Sequence, residues 1–457
     1  MKPIPSVLFL NVWIVPILAL VSCSPRAAEP GVRLLAGPMP GWSGHREVEI
    51  WAMVEGNGRP AMSYRRADAP DSAVKIALPE VQAGDDGKTI LRYHPSLLDP
   101  GTRYVYTLDL PGYPNGTEFQ TQADWAYKKP APDFSFVFGS CLYMNDAPYD
   151  RPGKPYGQGE GILGLMARSR ADFMLWLGDN LYLRPADWTS PAGIRYRYTH
   201  DRSDPSLQDL LRSMHHFAIW DDHDFGPNDS SKTFPLRDVS RKTFRDFWAN
   251  PPSGLPEPEG IMFSFVWSDC LFVMLDDRSN RDANELELAD HPGKTMLGAR
   301  QIEWLEQTLL QNREATFKFV VQGGQFLKDH TFESYADFPA DRRRILDFIR
   351  KEKIDGVMFL SGDRHFSELN RMEIKGAYPL YDLTSSPIGS GVAANALKLE
   401  AVNPMRVEGT LVDLQNFCRI DVRGEGREER TLTLSCMDKN GTERWKKDIP
   451  ARALRHP

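Results

Sequence analysis

Six short apolar runs, each followed by a cluster of polar residues, recur between residues 134 and 365 of this chain. The apolar runs are 134–138, 173–177, 217–220, 270–275, 317–321 and 357–360. The polar segments that follow them are 139–141, 178–182, 220–224, 275–278, 322–325 and 362–365. Apolar runs of this length fit strands that are buried on both faces, and the ends of such strands converge where open α/β folds bind ligands. The sequence therefore predicts one site that combines a thiol, a phenol, carboxylates and imidazoles, a set that suits two metal ions.

Segments with helical spacing separate several of these runs. Residues 160–170, 297–311 and 341–353 each place apolar side chains on one face and precede an apolar run. Strands and helices that alternate along a chain favour an α/β layered domain, here over residues 133–450. An Asn-Gly turn at 440–441, between two alternating runs, predicts a hairpin near the end of that domain.

Residues 31–125 show a different pattern, with short alternating strands between turn residues. Residues 48–54, 88–93 and 103–108 are the clearest strands. Strands at this spacing predict a small all-β domain of the fibronectin type III or immunoglobulin-like kind. The boundary between the two domains is predicted at Pro130 to Asp133.

The first 23 residues have the composition of an export signal. A short basic start is followed by an apolar stretch from Val7 to Val21. This stretch is shorter than the roughly 20 residues that a membrane-spanning helix needs. Leu20-Val21-Ser22-Cys23 resembles a bacterial lipoprotein signal, in which residues 1–22 are removed and Cys23 is lipidated. The alternative is an ordinary secretory signal with a cysteine near its cleavage site. We therefore expect a protein of the cell envelope, anchored through lipid to a membrane on its periplasmic side or at the cell surface.

The acidic balance of the chain limits its partners. A net charge of −7 and an isoelectric point near 5.9 argue against nucleic acid as the main partner. We expect a monomer that acts on small molecules and contacts a membrane through its lipid anchor. Cys418 and Cys436 lie on neighbouring strand-like runs, so they either form a disulfide or remain two buried free thiols, and the sequence leaves both open.

The segment from Gly178 to Tyr182 places a carboxylate and a phenol three residues apart after an apolar run. A glycine permits a sharp turn at the strand end, so Asp179 and Tyr182 can face one ion. Phenolate favours a hard, highly charged ion such as Fe(III) over zinc. Cys141 follows another run at the same predicted edge, which favours a thiolate ligand over the more usual buried structural cysteine.

Two further segments carry carboxylates and imidazoles. Asp363 and His365 could serve two ions about 3.5–4 Å from each other, the separation found in two-metal phosphoryl-transfer sites. Residues 220–224 hold three aspartates, whose mutual repulsion is unfavourable unless a cation compensates it. Asp222 is the predicted ligand there, and His223 is the predicted general acid or transition-state donor at the leaving-group oxygen. The alternative, a surface acidic loop, is disfavoured by the apolar run before it.

Together these segments resemble those of the PhoD-like alkaline phosphatases, a branch of the calcineurin-like metallophosphoesterase superfamily. The resemblance covers residue 133 to the C-terminus and implies an α/β fold: a four-layer β-sandwich flanked by helices, preceded by a small all-β domain. The Fe(III) ligands that it implies are Cys141, Asp179, Tyr182 and His365. It also implies that Asp179 bridges to one or two calcium ions, Ca(II), which Asp222 and Asp363 would bind.

Two features depart from the superfamily. A histidine ligand is common on the fourth strand, where this chain has Gln322-Gly323-Gly324-Gln325. Replacement of an imidazole by an oxygen ligand fits a harder second ion such as calcium, and it leaves the identity of that ion open. A lipoprotein-type signal also stands in place of the twin-arginine export common in this family.

Three side chains near the predicted ligands are candidates for phosphate contacts. Arg278 and Arg364 carry guanidinium groups, which suit bidentate contacts with phosphate oxygens. Arg364 lies between two predicted ligands, so its side chain can also point away from the site. Asn180 follows the bridging carboxylate and is the third candidate.

These expectations combine into a lipid-anchored bacterial phosphatase with His223, Asn180 and Arg278 as catalytic residues. A metal-bound hydroxide would attack phosphorus in line while the ions neutralise the equatorial oxygens. Phosphomonoesters are the expected substrates, and phosphodiesters are the nearest alternative. A function of another class is a surface binding lipoprotein whose metallophosphatase domain has degenerated, and the near-complete ligand set argues against it.

Overall fold

The structure is a computed structural model that describes residues 31–111, 113, 116–256, 259–329, 334–393, 397–398 and 401–457. The predicted signal peptide and Cys23 lie outside these residues. Across the described ranges, no helix is both long enough and apolar enough to cross a membrane.

Residues 33–120 form eight strands in two four-stranded antiparallel sheets. The strands are β1 Arg33–Ser43, β2 Val48–Glu55, β3 Met62–Arg66, β4 Lys75–Ala77, β5 Glu80–Ala83, β6 Lys88–Tyr93, β7 Arg103–Leu108 and β8 Thr117–Gln120. The sheet orders are β1-β2-β6-β5 and β4-β3-β7-β8. Alternate side chains of both sheets, such as Ile50, Tyr64 and Tyr104, are buried in one shared core. The arrangement fits the predicted all-β domain, and its fibronectin- or immunoglobulin-like classification stays a prediction.

The larger part of the chain contains two six-stranded sheets. The strands of the first are β9 Phe134–Gly139, β10 Phe173–Leu177, β11 His215–Ile219, β18 Asn416–Arg423, β19 Thr431–Asp438 and β20 Glu443–Pro450. Its order is β11-β10-β9-β18-β19-β20, and β9, β10 and β11 are parallel to one another. The C-terminal strands therefore complete the sheet that the middle of the chain begins.

The second six-stranded sheet is also mixed. Its strands are β12 Phe263–Trp267, β13 Cys270–Met274, β14 Phe317–Val321, β15 Val357–Ser361, β16 Glu368–Met372 and β17 Leu380–Thr384. The order is β12-β13-β14-β15-β17-β16, in which β13, β14, β15 and β17 are parallel. The helices are α1 Glu160–Ala167, α2 Pro191–Arg202, α3 Gln208–Ser213, α4 Asp222–Phe225, α5 Arg237–Phe247, α6 Gly298–Gln311 and α7 Pro339–Lys351. Helices α6 and α7 connect β13 to β14 and β14 to β15.

The two six-stranded sheets pack face to face through aromatic side chains. The ring of Phe136 lies 5.3 Å from those of Phe272 and Phe319, and Phe217 stacks on Phe265 at 3.9 Å. Every residue of β10, β11, β13, β14 and β15 is buried, as the apolar runs predicted. The N-terminal sheets pack against this body, where Trp51 Nε1 donates to the Asp246 carbonyl at 2.9 Å.

Cys418 and Cys436 are opposite one another on β18 and β19. Both are buried free thiols in the structure, which matches the second of the two alternatives drawn from the sequence. The domain limits 31–125 and 133–450 remain predictions, although β8 ends at Gln120 and β9 begins at Phe134.

Candidate metal centre

A cavity of about 220 Å³ opens at the ends of strands from both six-stranded sheets. It is lined by Arg151, Tyr156, Asp179, Tyr182, Asp222, His223, Asn228, Asp363, Arg364, His365 and Ala393. The segments after β10, β11 and β15 supply most of this lining. Those segments are among the six that the sequence predicted to converge on one edge.

One group of ligand atoms lies around Cys141. Cys141, Asp179 and His365 each offer a ligand atom within 4.8 Å of the others. The Cys141 Sγ atom lies 3.6 Å from Asp179 Oδ2, and the Tyr182 hydroxyl lies 3.2 Å from His365 Nε2. The structure thus brings together the four side chains that the family resemblance assigns to Fe(III).

The ring of His365 is oriented by contacts on its Nδ1 side. The Gly391 carbonyl oxygen lies 2.5 Å from Nδ1, and because a carbonyl can only accept, Nδ1 is assigned the proton. The hydroxyls of Tyr156 and Ser390 lie 3.2 Å from the same nitrogen. Nε2 therefore keeps its lone pair on the side of Tyr182. This is the tautomer and the outer-shell hydrogen bond that a metal-binding histidine needs.

A second group shares one member with the first. Asp179, Asp222 and His223 each offer a ligand atom within 4.8 Å of the others. Because Asp179 belongs to both groups, its carboxylate is placed to bridge two ions. Asp363 lines the cavity but belongs to neither group, and its carboxylate lies 3.5 Å from Arg364 Nη1.

Four of the predicted ligands have left-handed backbone conformations. The φ angle is 61° at Cys141, 50° at Asp179, 65° at Asp363 and 56° at His365. Such conformations cost non-glycine residues roughly 1–3 kcal/mol each and cluster at functional sites. The chain before Asp179 is also crowded, since a Cβ on Gly178 would lie 2.6 Å from the Cβ of Asp221. The sharp turns predicted at the strand ends are therefore present, and three of these four residues, Asp179, Asp363 and His365, line the cavity.

The electrostatics of the first group fit a bound cation. Burial raises the pKa of the Cys141 thiol to about 12. Burial, and then the nearby charges of Asp222 and Cys141, raise the pKa of the Asp179 carboxyl well above its ordinary value. Burial likewise raises the pKa of Tyr182, and the charge of Asp179 adds to the effect. Burial thus favours the protonated form of all three groups, whereas a bound metal ion would favour their anions.

Asp222 and His223 differ from the first group. Burial alone would raise the pKa of Asp222, but His223 and Arg278 outweigh it and hold that pKa well below its usual range. Burial lowers the pKa of His223, which favours the neutral imidazole. Among the described residues, His223 Nδ1 is buried and has no hydrogen-bond partner. A carboxylate and a neutral imidazole with an unused nitrogen again fit a metal ion or a substrate group.

Arg278 does not occupy the predicted position. Its Nε donates to Asp221 Oδ1 at 2.5 Å, and its Nη1 donates to the Ser230 carbonyl at 3.4 Å. The residue is 2% exposed and does not line the cavity. Arg278 therefore pairs with the buried Asp221, and its Nη2 also lies 3.7 Å from Oδ1 of the predicted ligand Asp222. Arg364, the less favoured of the two arginines, does line the cavity.

Asn180 and the segment 322–325, also singled out in the sequence, lie outside the cavity lining as well. The Asn180 amide donates to the Ile219 carbonyl at 2.7 Å and does not line the cavity. Gln325 Nε2 donates to Thr384 Oγ1 at 2.8 Å and to Glu368 Oε1 at 3.0 Å. The segment 322–325 contributes no residue to the cavity, so its glutamines carry no information about the second ion.

The loop 145–158 supplies two lining residues that the sequence did not indicate. Tyr156 contacts His365, and Arg151 lies at the cavity mouth, with its guanidinium carbon 5.8 Å from the Tyr156 ring centroid. Two partly buried ion pairs secure this loop, Arg184 with Asp150 at 3.0 Å and Arg197 with Asp146 at 3.1 Å. The sequence Arg-Pro-Gly-Lys-Pro-Tyr has no periodicity and offered no signal.

Comparison with known families shows which proteins this chain resembles. The family model of PhoD-like phosphatases matches residues 152–429, more than half of the chain. The chain belongs to the PhoD-like phosphatase family. Alkaline phosphatase D of Bacillus subtilis (strain 168) is 24% identical over 305 residues, which cover 56% of this chain and 49% of that protein. The match thus spans about half the length of this curated relative.

Solved structures agree with this assignment at the level of the fold. A structure of PhoD has a TM-score of 0.68 at 17% identity and covers 92% of this chain and 91% of its own. A purple acid phosphatase from seeds of yellow lupin (Lupinus luteus) has a TM-score of 0.63 at 11% identity, with coverage of 90% and 74%. The predicted family and the sheet-rich α/β fold are therefore confirmed.

Proposed function

We propose that this chain is a metal-dependent phosphoric ester hydrolase of the alkaline phosphatase D type. Phosphomonoesters are its proposed substrates, and phosphodiesters are a second class. The observation that carries the proposal is Asp179, one carboxylate shared by two groups of ligand atoms in one cavity. Membership of the PhoD-like phosphatase family supports it.

The two groups suit different ions. A thiolate, a phenolate, a carboxylate and an imidazole are available on the side of Cys141, and the phenolate favours Fe(III). Asp222 and the other oxygen of Asp179 offer the hard oxygen ligands that Ca(II) prefers, and Asp363, outside both groups, lines the same cavity and is proposed as a further oxygen ligand. The chemistry that such cations supply when bound is neutralisation of a phosphoryl group and activation of a water molecule.

The cavity lining suits an anionic ester. At about 220 Å³ the cavity is smaller than the roughly 300–1,000 Å³ of sites that enclose drug-sized ligands. It therefore fits a phosphoryl group and leaves most of the alcohol portion at the mouth, beside the exposed side chains of Arg151 and Asn228. Arg364, which is 4% exposed, would hold phosphoryl oxygens inside. Because the phosphoryl group is held inside the cavity and the alcohol portion stays at the mouth, we expect the site to accept many different leaving groups.

His223 is the proposed proton donor to the leaving alcohol. Its ring lies 4.1 Å from that of Tyr182, which fixes it at the cavity wall next to Asp222. Its Nδ1 has no partner among the described residues. The same position would also allow His223 to act as a third ligand of the second ion, since it lies in that group.

Substitution of His223 distinguishes these two roles. For His223→Gln we expect kcat to fall by about 10²–10⁴ with alkyl phosphates, and by much less with p-nitrophenyl phosphate, because a weakly basic leaving group needs no proton. Metal content should be unchanged. The measurement is kcat for both substrates together with metal per chain. Equal losses for both substrates, accompanied by loss of one ion, would assign His223 to the metal instead.

The proposed activity is tested with the purified chain. We expect iron and calcium in plasma mass spectrometry, and hydrolysis of p-nitrophenyl phosphate and of its bis ester that is lost on chelation and restored by metal. The ratio of the two rates decides between monoester and diester preference. A chain without metal and without either hydrolysis would support the rival function, a surface binding lipoprotein with a degenerate metallophosphatase domain. The cell envelope, with Cys23 lipidated, is the proposed location.

A further inference from the structure

Arg151 is an exposed cation at the mouth of the cavity. Two arginines line this cavity, but Arg364 is 4% exposed and lies 3.5 Å from the carboxylate of Asp363. Arg151, in contrast, is exposed and forms no ion pair or hydrogen bond with any residue that the structure describes. All five N–H groups of its guanidinium are therefore available to a ligand.

The nearest carboxylate along the chain does not neutralise Arg151. Oδ1 of Asp150 accepts from the Tyr143 hydroxyl at 2.9 Å and from Arg184 Nη2 at 3.0 Å. Oδ2 of the same residue accepts from the backbone N–H of Asp146 at 2.6 Å. Because these contacts use both oxygens of Asp150, the guanidinium of Arg151 keeps its charge for another partner.

Other described carboxylates near the cavity also have assigned partners. Asp229 follows the lining residue Asn228, and its oxygens accept from the Asn228 amide at 2.7 Å and from the Asn284 amide at 3.2 Å. The three carboxylates of the lining are the proposed metal ligands Asp179, Asp222 and Asp363. Among the charged residues of the described lining, Arg151 is thus the one left for the part of a substrate that stays at the mouth.

The local structure holds Arg151 in this position. Pro152 follows it, and a proline restricts the residue before it to an extended backbone. The guanidinium carbon also lies 5.8 Å from the ring centroid of Tyr156, whose hydroxyl lies 3.2 Å from Nδ1 of His365. A cation that is placed before the substrate arrives loses less conformational freedom on binding, so it binds an anion more tightly.

We propose that Arg151 selects substrates whose leaving group carries a negative charge of its own, as a carboxylate or as a second phosphate. The cavity of about 220 Å³ leaves the alcohol portion of the ester at the mouth, where it meets Arg151. The planar guanidinium matches the oxygens of both kinds of anion. The site would still accept many leaving groups but would rank them by charge. This inference rests on the proposed function, because it concerns the alcohol portion of the ester.

The test compares phosphate esters whose leaving groups differ in charge. Phosphoglycolate, 2-hydroxyethyl phosphate and phosphoethanolamine have two-carbon leaving groups that are anionic, neutral and cationic. 3-Phosphoglycerate with glycerol 3-phosphate forms a longer pair, and fructose 1,6-bisphosphate with fructose 6-phosphate replaces the carboxylate by a second phosphate. We expect kcat/KM to be about tenfold higher for the anionic ester of at least one of these comparisons, mainly through KM.

Arg151→Gln separates the contribution of Arg151 from the intrinsic reactivity of the esters. We expect this variant to lower the ratio of kcat/KM for the anionic ester over the neutral one about tenfold, and Arg151→Glu to favour phosphoethanolamine over phosphoglycolate. Lys154→Gln is the matched control, because Lys154 is also exposed, also precedes a proline in the same loop and is not among the lining residues. It removes the same charge and should change the ratio by less than about twofold.

Binding without turnover distinguishes this inference from the proposed function. Phosphonoacetate and 2-hydroxyethylphosphonate carry an anionic and a neutral group but have no ester bond. Calorimetry on the metal-loaded chain should show tighter binding of phosphonoacetate, and Arg151→Gln should remove that difference. The same result in a chain that does not hydrolyse p-nitrophenyl phosphate would overturn the proposed function and support the role of Arg151 in binding.

Two results would overturn the role of Arg151. The first is a ratio of kcat/KM, or a difference in phosphonate binding, that is the same in Arg151→Gln as in the unsubstituted chain. The second is an equal fall in Lys154→Gln, which would assign the preference to the charge of the whole loop. In both cases hydrolysis of p-nitrophenyl phosphate by the unsubstituted chain would leave the proposed function standing.

Discussion

Asp179→Asn is expected to remove both metal ions together and to lower kcat for p-nitrophenyl phosphate by at least about 10³-fold. Asp179 is the one residue common to the two ligand groups found among the described residues. An amide keeps the shape of the carboxylate but carries no charge, so it cannot bridge two cations. Metal per chain by plasma mass spectrometry and turnover of the same sample measure the two effects.

Single-group variants make that experiment selective. Cys141→Ser should lose only the ion on the side of Tyr182, with the phenolate-to-iron absorption, whereas Asp222→Asn should lose only the other ion. Cys270→Ser is the matched control for the thiol, because Cys270 is equally buried but lies on β13 and belongs to neither ligand group found among the described residues. If Asp179→Asn retains one full equivalent of metal, the two groups do not share a bridging carboxylate.

The central strands could be predicted from the sequence because burial on both faces leaves an unbroken apolar run. The runs 173–177 and 317–321 coincide with β10 and β14. Parallel strands then bring their ends to one edge, which is why Cys141, Asp179 and His365 could be grouped although 224 positions separate the first from the last. The family resemblance added the division of these ligands between two ions.

Arg278 and Asn180 lie outside the cavity lining because of the direction of their side chains. The sequence places Arg278 three residues after a predicted strand, but which buried carboxylate it meets depends on the packing of the segment after β11, where Asp221 Oδ1 lies 2.5 Å from Arg278 Nε. Asn180 follows a left-handed Asp179, and that single backbone angle turns its amide toward Ile219. Neither side-chain direction can be inferred from the spacing of residues in the sequence.

The loop 145–158 was missed for another reason. Its conformation is imposed from outside by arginines that are distant in the sequence, chiefly Arg184 and Arg197. A segment without periodicity has no preferred structure of its own, so the positions of Arg151 and Tyr156 depend on the ion pairs that Arg184 and Arg197 make with the loop. This dependence makes Arg197 the residue whose loss should disturb both the stability of the protein and its cavity.

Arg197→Met is expected to lower the free energy of unfolding by about 3–5 kcal/mol. The Arg197 side chain has no exposed surface and pairs with Asp187 at 2.9 Å, with Asp146 at 3.1 Å and with Asp201 at 3.3 Å. Burial by itself lowers the pKa of Arg197, but Asp201 and Asp187 outweigh it and raise that pKa. Methionine fills much of the volume and leaves buried carboxylates without a counter-charge.

The control for this prediction is Arg33→Met, which removes an exposed ion pair with Glu55 and should change the free energy of unfolding by less than about 1 kcal/mol. Urea unfolding of both variants gives the stabilities. Because Asp146 begins the loop that carries Arg151 and Tyr156, Arg197→Met should also lower kcat/KM about tenfold or more, mainly through KM. An unchanged KM in the folded variant would mean that other contacts, such as Arg184 with Asp150, hold the loop without Arg197.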